Sequence, residues 1–482
     1  MAAEAWVLEE MRSIKGQDAR ITARLHEVLT QLGRRPTASI PTACGGHAEM
    51  TAAYRLFDNE KLTFEGLVQP HAEATRSRMA AQQTVVLAQD TTQLDVTRPV
   101  QQVRGTSPLN GGGRWGVLLH LLHAFSPDGT PLGTLAAARW VRGEQPTAAR
   151  SRDRLKALPI EEKESYRWLE TLRVAQAEAA RCPATRIVCV ADSEADIYEL
   201  LAEAQTRPQR SDWIVRGCHD RALQRDAKSA AARHLRDETL QQPVLFTQPV
   251  TVRGREQKVS CDDRARRQAR QSRQALVEVR AASVTLLPPL RSDRELPTIA
   301  VNVVLVREVD PPVGDEPVEW LLLTSLPVGD VDHVREVIQF YCARWMIEIL
   351  FRVLKSGCRV EARRFETLDR LLRCLAVYLI VAWRTLFVCR HARSCPDLSC
   401  EAVFEPQEWK PVWTVLRRCP PPPQPPTLAE MTHLVAELGG YVPRKKSPPG
   451  PQTVWIGLQR MQDFAICWKT FGPDSGSSRP DV

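Results

Sequence analysis

TRIVCVADSEADIYELL, residues 185–201, holds a β-branched and apolar run at 187–191 that ends on Asp192 and gives way to a helical pattern near Ser193. Such a segment predicts a buried strand that delivers an acid to its C-terminal end and hands the chain to a helix. An Asp in that place is also a common turn former or N-cap, so one example decides little. A second example lies upstream. In TVVLAQDTTQLD, residues 84–95, the run 84–88 reads as another buried strand with Asp90 at its end.

The third acid lies in YCARWMIEILFRVLK, residues 341–355. At about 100° per residue, Tyr341, Arg344, Glu348 and Lys355 fall within an arc of about 60° on one helix face, with Trp345 and Arg352 beside them. Ala343, Ile347, Leu350, Phe351 and Leu354 gather on another face. The pattern predicts a helix that docks through its apolar side and presents a carboxylate flanked by cations. A lone Glu there would be an ordinary amphipathic-helix residue; two strand-end Asp residues change its meaning. Phosphodiester cleavage needs an activated nucleophile and stabilised charge on the attacking and leaving oxygens, which two divalent ions about 3.5–4 Å apart supply. Such hard ions prefer carboxylate oxygens and retain several waters, so three acids suffice. No P-loop, GxGxxG after a strand, HExxH or GxSxG offers another centre.

Asp90-Thr91-Thr92, the DSEADI string 192–197 and the Y-x2-R-x3-E-x6-K spacing ending at Lys355 resemble the signature of DDE transposases of bacterial insertion sequences. The resemblance is to the insertion-sequence-4 family, transposon-5 type. It extends through GQDARITARL (16–25), AAYRLFDN (52–59), SPDGTPLG (126–133), EEKES (161–165), WLLLTS (320–325) and LGGY with a lysine pair (438–446). The resemblance implies a cut-and-paste transposase in which Asp90, Asp192 and Glu348 hold two Mg²⁺ ions, with Mn²⁺ able to substitute. It implies water attack to free a 3′-hydroxyl at each transposon end, a hairpin intermediate, and strand transfer into target DNA by a paired-end homodimer. Tyr341, Arg344 and Lys355 would grip phosphates beside the scissile bond, and Arg216 would contact DNA. Trp320 aligns with a Trp that stacks where a base is flipped out, and equally reads as a strand-end core residue. Where the relatives carry a Lys two residues after Arg216, this chain has Cys218. The rival readings are a ribonuclease-H-like nuclease without strand transfer and a decayed copy that binds ends without cutting.

The composition accommodates this. The 482 residues carry 65 Lys+Arg against 57 Asp+Glu, a net +8 that suits a polyanion partner and equally suits a mildly basic soluble protein. Thirteen cysteines, an odd number without CxxC pairs, suit a reducing compartment rather than a disulfide framework. Cys389, His391, Cys395 and Cys400 lack the regular spacing of a zinc site. The N-terminus has no signal-peptide h-region, and the apolar stretch 374–383 is too short to span a bilayer. A cytoplasmic, nucleoid-associated bacterial protein without a membrane partner is expected.

By pattern and resemblance the chain divides into three. Residues 1–75 read as a helical domain binding transposon ends, with Asp18 as N-cap of a helix carrying Arg20 and Arg24. No basic excess marks that stretch; the DNA role comes from the resemblance. Residues 76–365 read as an α/β ribonuclease-H-like catalytic core, reached from a β-β-β-α-β-α-β order with strands at 84–90, 115–125, 132–141, 186–191 and 213–216 and a helix at 162–181. An antiparallel β insertion is expected at about 220–315, including period-two runs at 282–287 and 299–306. Within it Arg253, Arg255, Lys258, Arg264, Arg266, Arg267, Arg270 and Arg273 form a basic tract, either a solvated face or a phosphate contact. Residues 366–482 read as a helical dimerisation domain, with an apolar helix at 368–387 and a stiff CPPPPQPP linker at 419–426. The terminal helical segment carries Trp455, Met461, Phe464 and Trp468, which need either the main body or a second copy to cover them, and the resemblance favours the second copy.

Overall fold

The alternation in 84–95 becomes β1 (Thr84–Asp95), and the run before Asp192 becomes β5 (Arg186–Ala191), its parallel neighbour with Ala88 opposite Val190. The computed structural model describes residues 4–14, 18–110, 112–142, 158–206, 211–224, 233–252, 271–291, 294–315, 317–443 and 448–473. Within the basic tract only Arg273 is among them, where it pairs with Glu308 at 3.0 Å. Arg253, Arg255, Lys258, Arg264, Arg266, Arg267 and Arg270 lie outside the described residues, as does the lysine pair at 445–446.

Five helices open the chain: α1 (Ala5–Glu10), α2 (Ala19–Arg34), α3 (Ile40–Cys44), α4 (His47–Asp58) and α5 (Phe64–Ala80). After β1 come the short β2 (Ser107–Pro108), β3 (Trp115–Phe125) and β4 (Pro131–Trp140), the last two joined through the Pro127-Asp128-Gly129 turn, where Gly129 adopts φ +84°. The helix expected from 162 instead begins at Tyr166, after a 3-10 turn at Ile160–Glu162; it is α6 (Tyr166–Arg181). Its Trp168, Leu169, Leu172, Ala175 and Ala179 recur at helical spacing and are buried. β5, α7 (Tyr198–Thr206) and β6 (Asp212–Arg216) complete a core whose strands lie in the order β4-β3-β1-β5-β6. β3 runs antiparallel to both β4 and β1, while β1, β5 and β6 run parallel. This is the ribonuclease-H-like arrangement.

The residues after β6 form α8 (Leu235–Leu240) and three strands, β7 (Phe246–Val252), β8 (Arg273–Leu286) and β9 (Ile299–Glu308), followed by β10 (Glu319–Thr324). They do not fold apart from the core. β10 pairs antiparallel with β6 and with β9, so the same sheet runs on as β6-β10-β9-β8-β7 to a total of ten strands. Arg273 is consequently a strand residue inside an ion pair rather than part of a free basic face.

Period-two alternation gives the sheet two covered faces. Val85, Leu87, Ile187, Cys189, Trp213 and Val215 face α6 and α7. Val86, Val188, Val190, Ile214 and Leu322 face the other way, against α9 (Val331–Arg352), whose N-cap Asp330 accepts from His333 N–H at 2.8 Å. A helix of 27 residues, α10 (Leu368–Ser394), follows; it is apolar and long enough for a bilayer, but 83% of its most apolar window is buried within the protein. Its Arg373 side chain donates to the carbonyls of Leu62 and Phe57, binding it to the N-terminal helices.

The C-terminal helices are α11 (Pro406–Arg417), α12 (Leu428–Leu438) and α13 (Pro451–Phe471). The Pro-rich segment does not hold them at a distance. Its end turns back on the body, with Cys400 N–H donating to Pro426 O at 2.9 Å and Leu428 N–H to Leu398 O at 2.6 Å. Trp455 and Met461 are buried in this chain's own core, and Phe464 packs partly against it, which corrects the expectation of a second copy for those residues. Two segments of α10 and α11 that sequence periodicity treats as separate thus share one cluster with α12 and α13.

Arg363 ties the N-terminal helices to this assembly. Its guanidinium donates to the carbonyls of Pro36 at 2.9 Å, of Ala38 and of Cys358, and it lies 4.6 Å above the Tyr378 ring. Truncating it leaves three carbonyls without a charged donor, so Arg363→Ala should cost about 3 kcal/mol or more. The expected outcome is a melting temperature several degrees lower; an unchanged melt would show that water replaces the guanidinium freely.

Candidate active site

Alternation decides where the strand-end acids point. Positions 86, 88 and 90 of β1 and 188, 190 and 192 at β5 share the face covered by α9, so Asp90 and Asp192 emerge two residues past the Ala88–Val190 register on adjacent parallel strands. α9 crosses that face and brings Glu348. Arg344, one turn earlier, spans the gap, its Nη1 3.2 Å from Asp90 Oδ2 and its Nη2 2.8 Å from Glu348 Oε1. The side chain of Arg344 is 8% exposed and that of Asp90 14%, so the pair sits in a poorly hydrated pocket that still opens toward Glu348, 36% exposed.

Burial pushes the Asp90 carboxyl up to about 7, opposed by Arg344 and reinforced by Asp192 and Glu348. Its Oδ1 accepts from Thr91 N–H at 2.7 Å. Asp192 caps the 3-10 turn Ser193–Ala195, accepting from Glu194 N–H at 2.9 Å. It is therefore both the N-cap and a member of the acidic group.

Around this centre stand the other residues read from sequence. Tyr341 is buried, and burial pushes its phenol up, with Arg344 and Arg216 opposing. Arg216 ends β6 and also donates to Glu319 O at 3.1 Å. Trp320, on β10, is half-buried with its ring 5.7 Å from that of Tyr341. Lys355 does not continue the α9 helix. The last turn opens into a π-helix, Val353–Gly357, and its Gly357 packs on the Trp455 ring, where a Cβ would lie 3.0 Å from it. Lys355 Nζ lies 3.8 Å from Glu361 Oε1, which also accepts from Asp95 N–H at 2.9 Å. Burial lowers the lysine's proton affinity, with Glu361 opposing. Arg20 and Arg24 lie far along the chain on α2; Arg20 is exposed, and Arg24 pairs with Glu27 at 2.6 Å.

Sequence reasoning passed over Glu361, His120 and Arg167, all in contact with these residues or their neighbours. Only EEKES, just before Arg167, offered a signal.

Two groups could be considered for metal. Among the described residues, the one set of three Asp, Glu, His or Cys ligand atoms all within 4.8 Å is Asp196, Cys218 and His219. It does not fit a cation. Asp196 already accepts from Cys218 N–H, His219 N–H and Arg221, whose guanidinium would repel one. Cys389, His391, Cys395 and Cys400 form no such set. Asp90, Asp192 and Glu348 are spaced more widely, with Arg344 between two of them. Their donor set is all carboxylate oxygen, and Asp90, raised mainly by burial, is raised further by Asp192 and Glu348; both features fit a hard divalent ion.

Three family models match the chain. Residues 3–62 match a transposase DNA-binding family model, 168–383 a transposase DDE domain model, and 380–470 a transposase Tn5 dimerisation domain model. The DDE match includes Asp192 and Glu348 but begins after Asp90, which the fold brings beside them. The chain is also similar to a piggyBac transposase solved as a synaptic complex with hairpin DNA. That match has 8% identity, covers 97% of this chain and 74% of the other, and has a TM-score of 0.36.

A carboxyl whose folded pKa lies above its unfolded value costs stability once ionised. For Asp90 that cost starts near pH 4 and is complete above pH 7. Asp90→Asn should therefore raise the melting temperature of the metal-free protein by a few degrees at pH 8, and by about half as much at pH 5.5. Calorimetry in EDTA at both pH values checks this; a gain independent of pH would contradict the burial of a charged Asp90.

Proposed function

Because the chain belongs to the Tn5-type DDE transposases of the insertion-sequence-4 kind, DNA-cleaving and strand-joining enzymes that depend on divalent metal, we propose that Asp90, Asp192 and Glu348 are its catalytic acids. The observation that carries this is the bridge of Arg344 between Asp90, at the end of β1, and Glu348 on α9, with Asp192 at the end of the adjacent parallel strand and Asp90 raised by burial and, after it, by Asp192 and Glu348. Divalent ions held there, Mg²⁺ with Mn²⁺ as substitute and two per site, would supply an activated water and neutralise charge on the attacking and leaving oxygens of a phosphodiester.

The remaining residues orient DNA. Arg344, whose Nη1 and Nη2 donate to Asp90 and Glu348, is proposed to share these charge-assisted donors with a phosphate oxygen. Lys355, held over the end of β1 by Glu361, contributes a point charge on the other side of Glu348. Trp320 lies against Tyr341, one helical turn from Arg344, and Arg216 donates to the carbonyl of the preceding Glu319, so an aromatic face lies near a cation. That combination suits a base turned out of the stack, the bend a hairpin intermediate requires. Freed 3′-hydroxyls would then join target DNA. The α2 residues Arg20 and Arg24 are proposed to contact the terminal inverted repeats. The three regions, about 1–75, 76–365 and 366–482, are proposed as end-binding, catalytic and dimerisation domains.

Two copies are proposed to pair the ends. With Trp455 and Met461 used internally, the outward end of α13 is what remains: Ile466 is 52% and Phe471 83% exposed, beside the half-buried Trp468. Ile466 and Trp468 lie at the close of the region matching the dimerisation family, and Phe471 is the residue after it.

Asp192→Asn keeps shape and loses charge. It should abolish Mg²⁺-dependent nicking of a transposon-end duplex while end binding persists in a gel shift; substantial cleavage by the Asn protein would sink the assignment. For pairing, the combined Ile466→Asp and Phe471→Asp change should leave single-end complexes and remove paired-end ones. Paired ends at wild-type yield would move the interface elsewhere.

A further inference from the structure

Both strand-end acids are held by the backbone of a neighbour, and both neighbours are gripped by one side chain. Thr91 N–H donates to Asp90 Oδ1 at 2.7 Å, and Glu194 N–H donates to Asp192 Oδ1 at 2.9 Å. Arg167, on the first turn of α6, donates from Nε to the Thr91 hydroxyl at 3.0 Å and from Nη2 to Glu194 Oε2 at 2.8 Å. Its Nη1 donates to Glu164 O at 2.6 Å, and its guanidinium lies 4.7 Å from the Trp140 ring centre and 5.7 Å from that of Trp168.

The Thr91 end is anchored further. The Thr91 hydroxyl is 2.8 Å from His120 Nδ1, and His120 Nε2 is 3.4 Å from Gln89 Oε1. Burial holds His120 down to about 3, with Arg167 adding to the effect, so the ring is neutral and its Nδ1 accepts from Thr91. Thr91 therefore has one hydroxyl orientation, donating to His120 and accepting from Arg167. Every guanidinium nitrogen of Arg167 has a protein acceptor, its face is covered by indole, and its side chain is 13% exposed. That is the geometry of a brace, in contrast to Arg344, whose Nε is unpartnered.

We propose that Arg167 is a positioning residue that fixes the separation of Asp90 and Asp192, and through it the affinity of the site for a divalent cation. The proposal rests on the reading of the three acids given above. Without the brace, the Thr91 strand end and the Glu194 turn move independently, and cation binding must order both carboxylates itself. Lysine keeps the charge, but a single ammonium cannot reach Thr91 and Glu194 with the planar fork that spans them now.

The test uses the full-length protein and Mn²⁺, whose free ion is counted by electron paramagnetic resonance. Arg167→Ala should weaken Mn²⁺ binding about tenfold, the range typical of residues that orient ligands, and Arg167→Lys by less. Transposon-end binding in EDTA should match wild type in both. Unchanged Mn²⁺ affinity overturns the proposal, as does loss of end binding in EDTA, which would make Arg167 a DNA contact. If the Ala protein does not fold, the Lys protein carries the same two readouts. Asp192→Asn run alongside separates the premises: wild-type Mn²⁺ affinity and cleavage in that protein overturn the acid assignment and this proposal together. Weak Mn²⁺ binding by Asp192→Asn beside wild-type binding by the Arg167 variants overturns this proposal alone.

Discussion

The double contact of Arg344 with Asp90 and Glu348 is the interaction from which the rest of the site takes its form. A guanidinium 8% exposed must be paired, and here both partners are acids that would otherwise repel each other. The contact joins β1 to α9 across the face where their apolar residues already meet, so packing and charge enforce the same approach. It also leaves the acids competent for a stronger cation. Asp90 remains raised despite Arg344, chiefly because burial disfavours its charged form, with Asp192 and Glu348 adding to the effect.

What could be read in advance follows from period. The Asp90 and Asp192 runs are unbroken apolar stretches, so their strand-end placement is legible, while the face the two acids share depends on the Ala88–Val190 register. The helical spacing of Tyr341, Arg344 and Glu348 needs only local geometry. Lys355 departs from that spacing because its turn opens into a π-helix, packed at Gly357 against Trp455 about a hundred residues downstream, which no local pattern encodes. The fate of Trp455 and Met461 was open for the same reason: a helix pattern shows that a face must be covered, not by what. Arg167 looks like any basic residue on the first turn of a helix until β1 and the Asp192 turn are placed on either side of it. The inserted strands were legible as strands, but their union with the core sheet depends on β10 pairing with two partners, which no local pattern encodes.

Charge is concentrated away from water at a second place. Glu408 on α11 is pushed up to about 7 by burial, with Glu4 adding to it, and Arg384 of α10 lies nearby with its own proton affinity lowered by burial. Glu408 accepts from Glu405 N–H at 2.9 Å and from Gln462 at 2.5 Å, linking α11 to α13. Such groups weaken a fold unless their hydrogen bonds are complete. The long apolar helix α10, nearly enclosed, supplies the burial that tolerates them.

The continuity of the ten-stranded sheet bears on how this lineage can vary. β10 carries Trp320 and is bonded on one side to β6 and on the other to β9. A deletion that removed the strands between β6 and β10 would strip one full ladder from β10, exposing Leu321 and Leu323 beside a row of unpaired amides. Such an edge recruits strands from other molecules. The inserted region is therefore a shield against aggregation as well as an extension, and shortened copies of this gene that lose it should accumulate as insoluble protein.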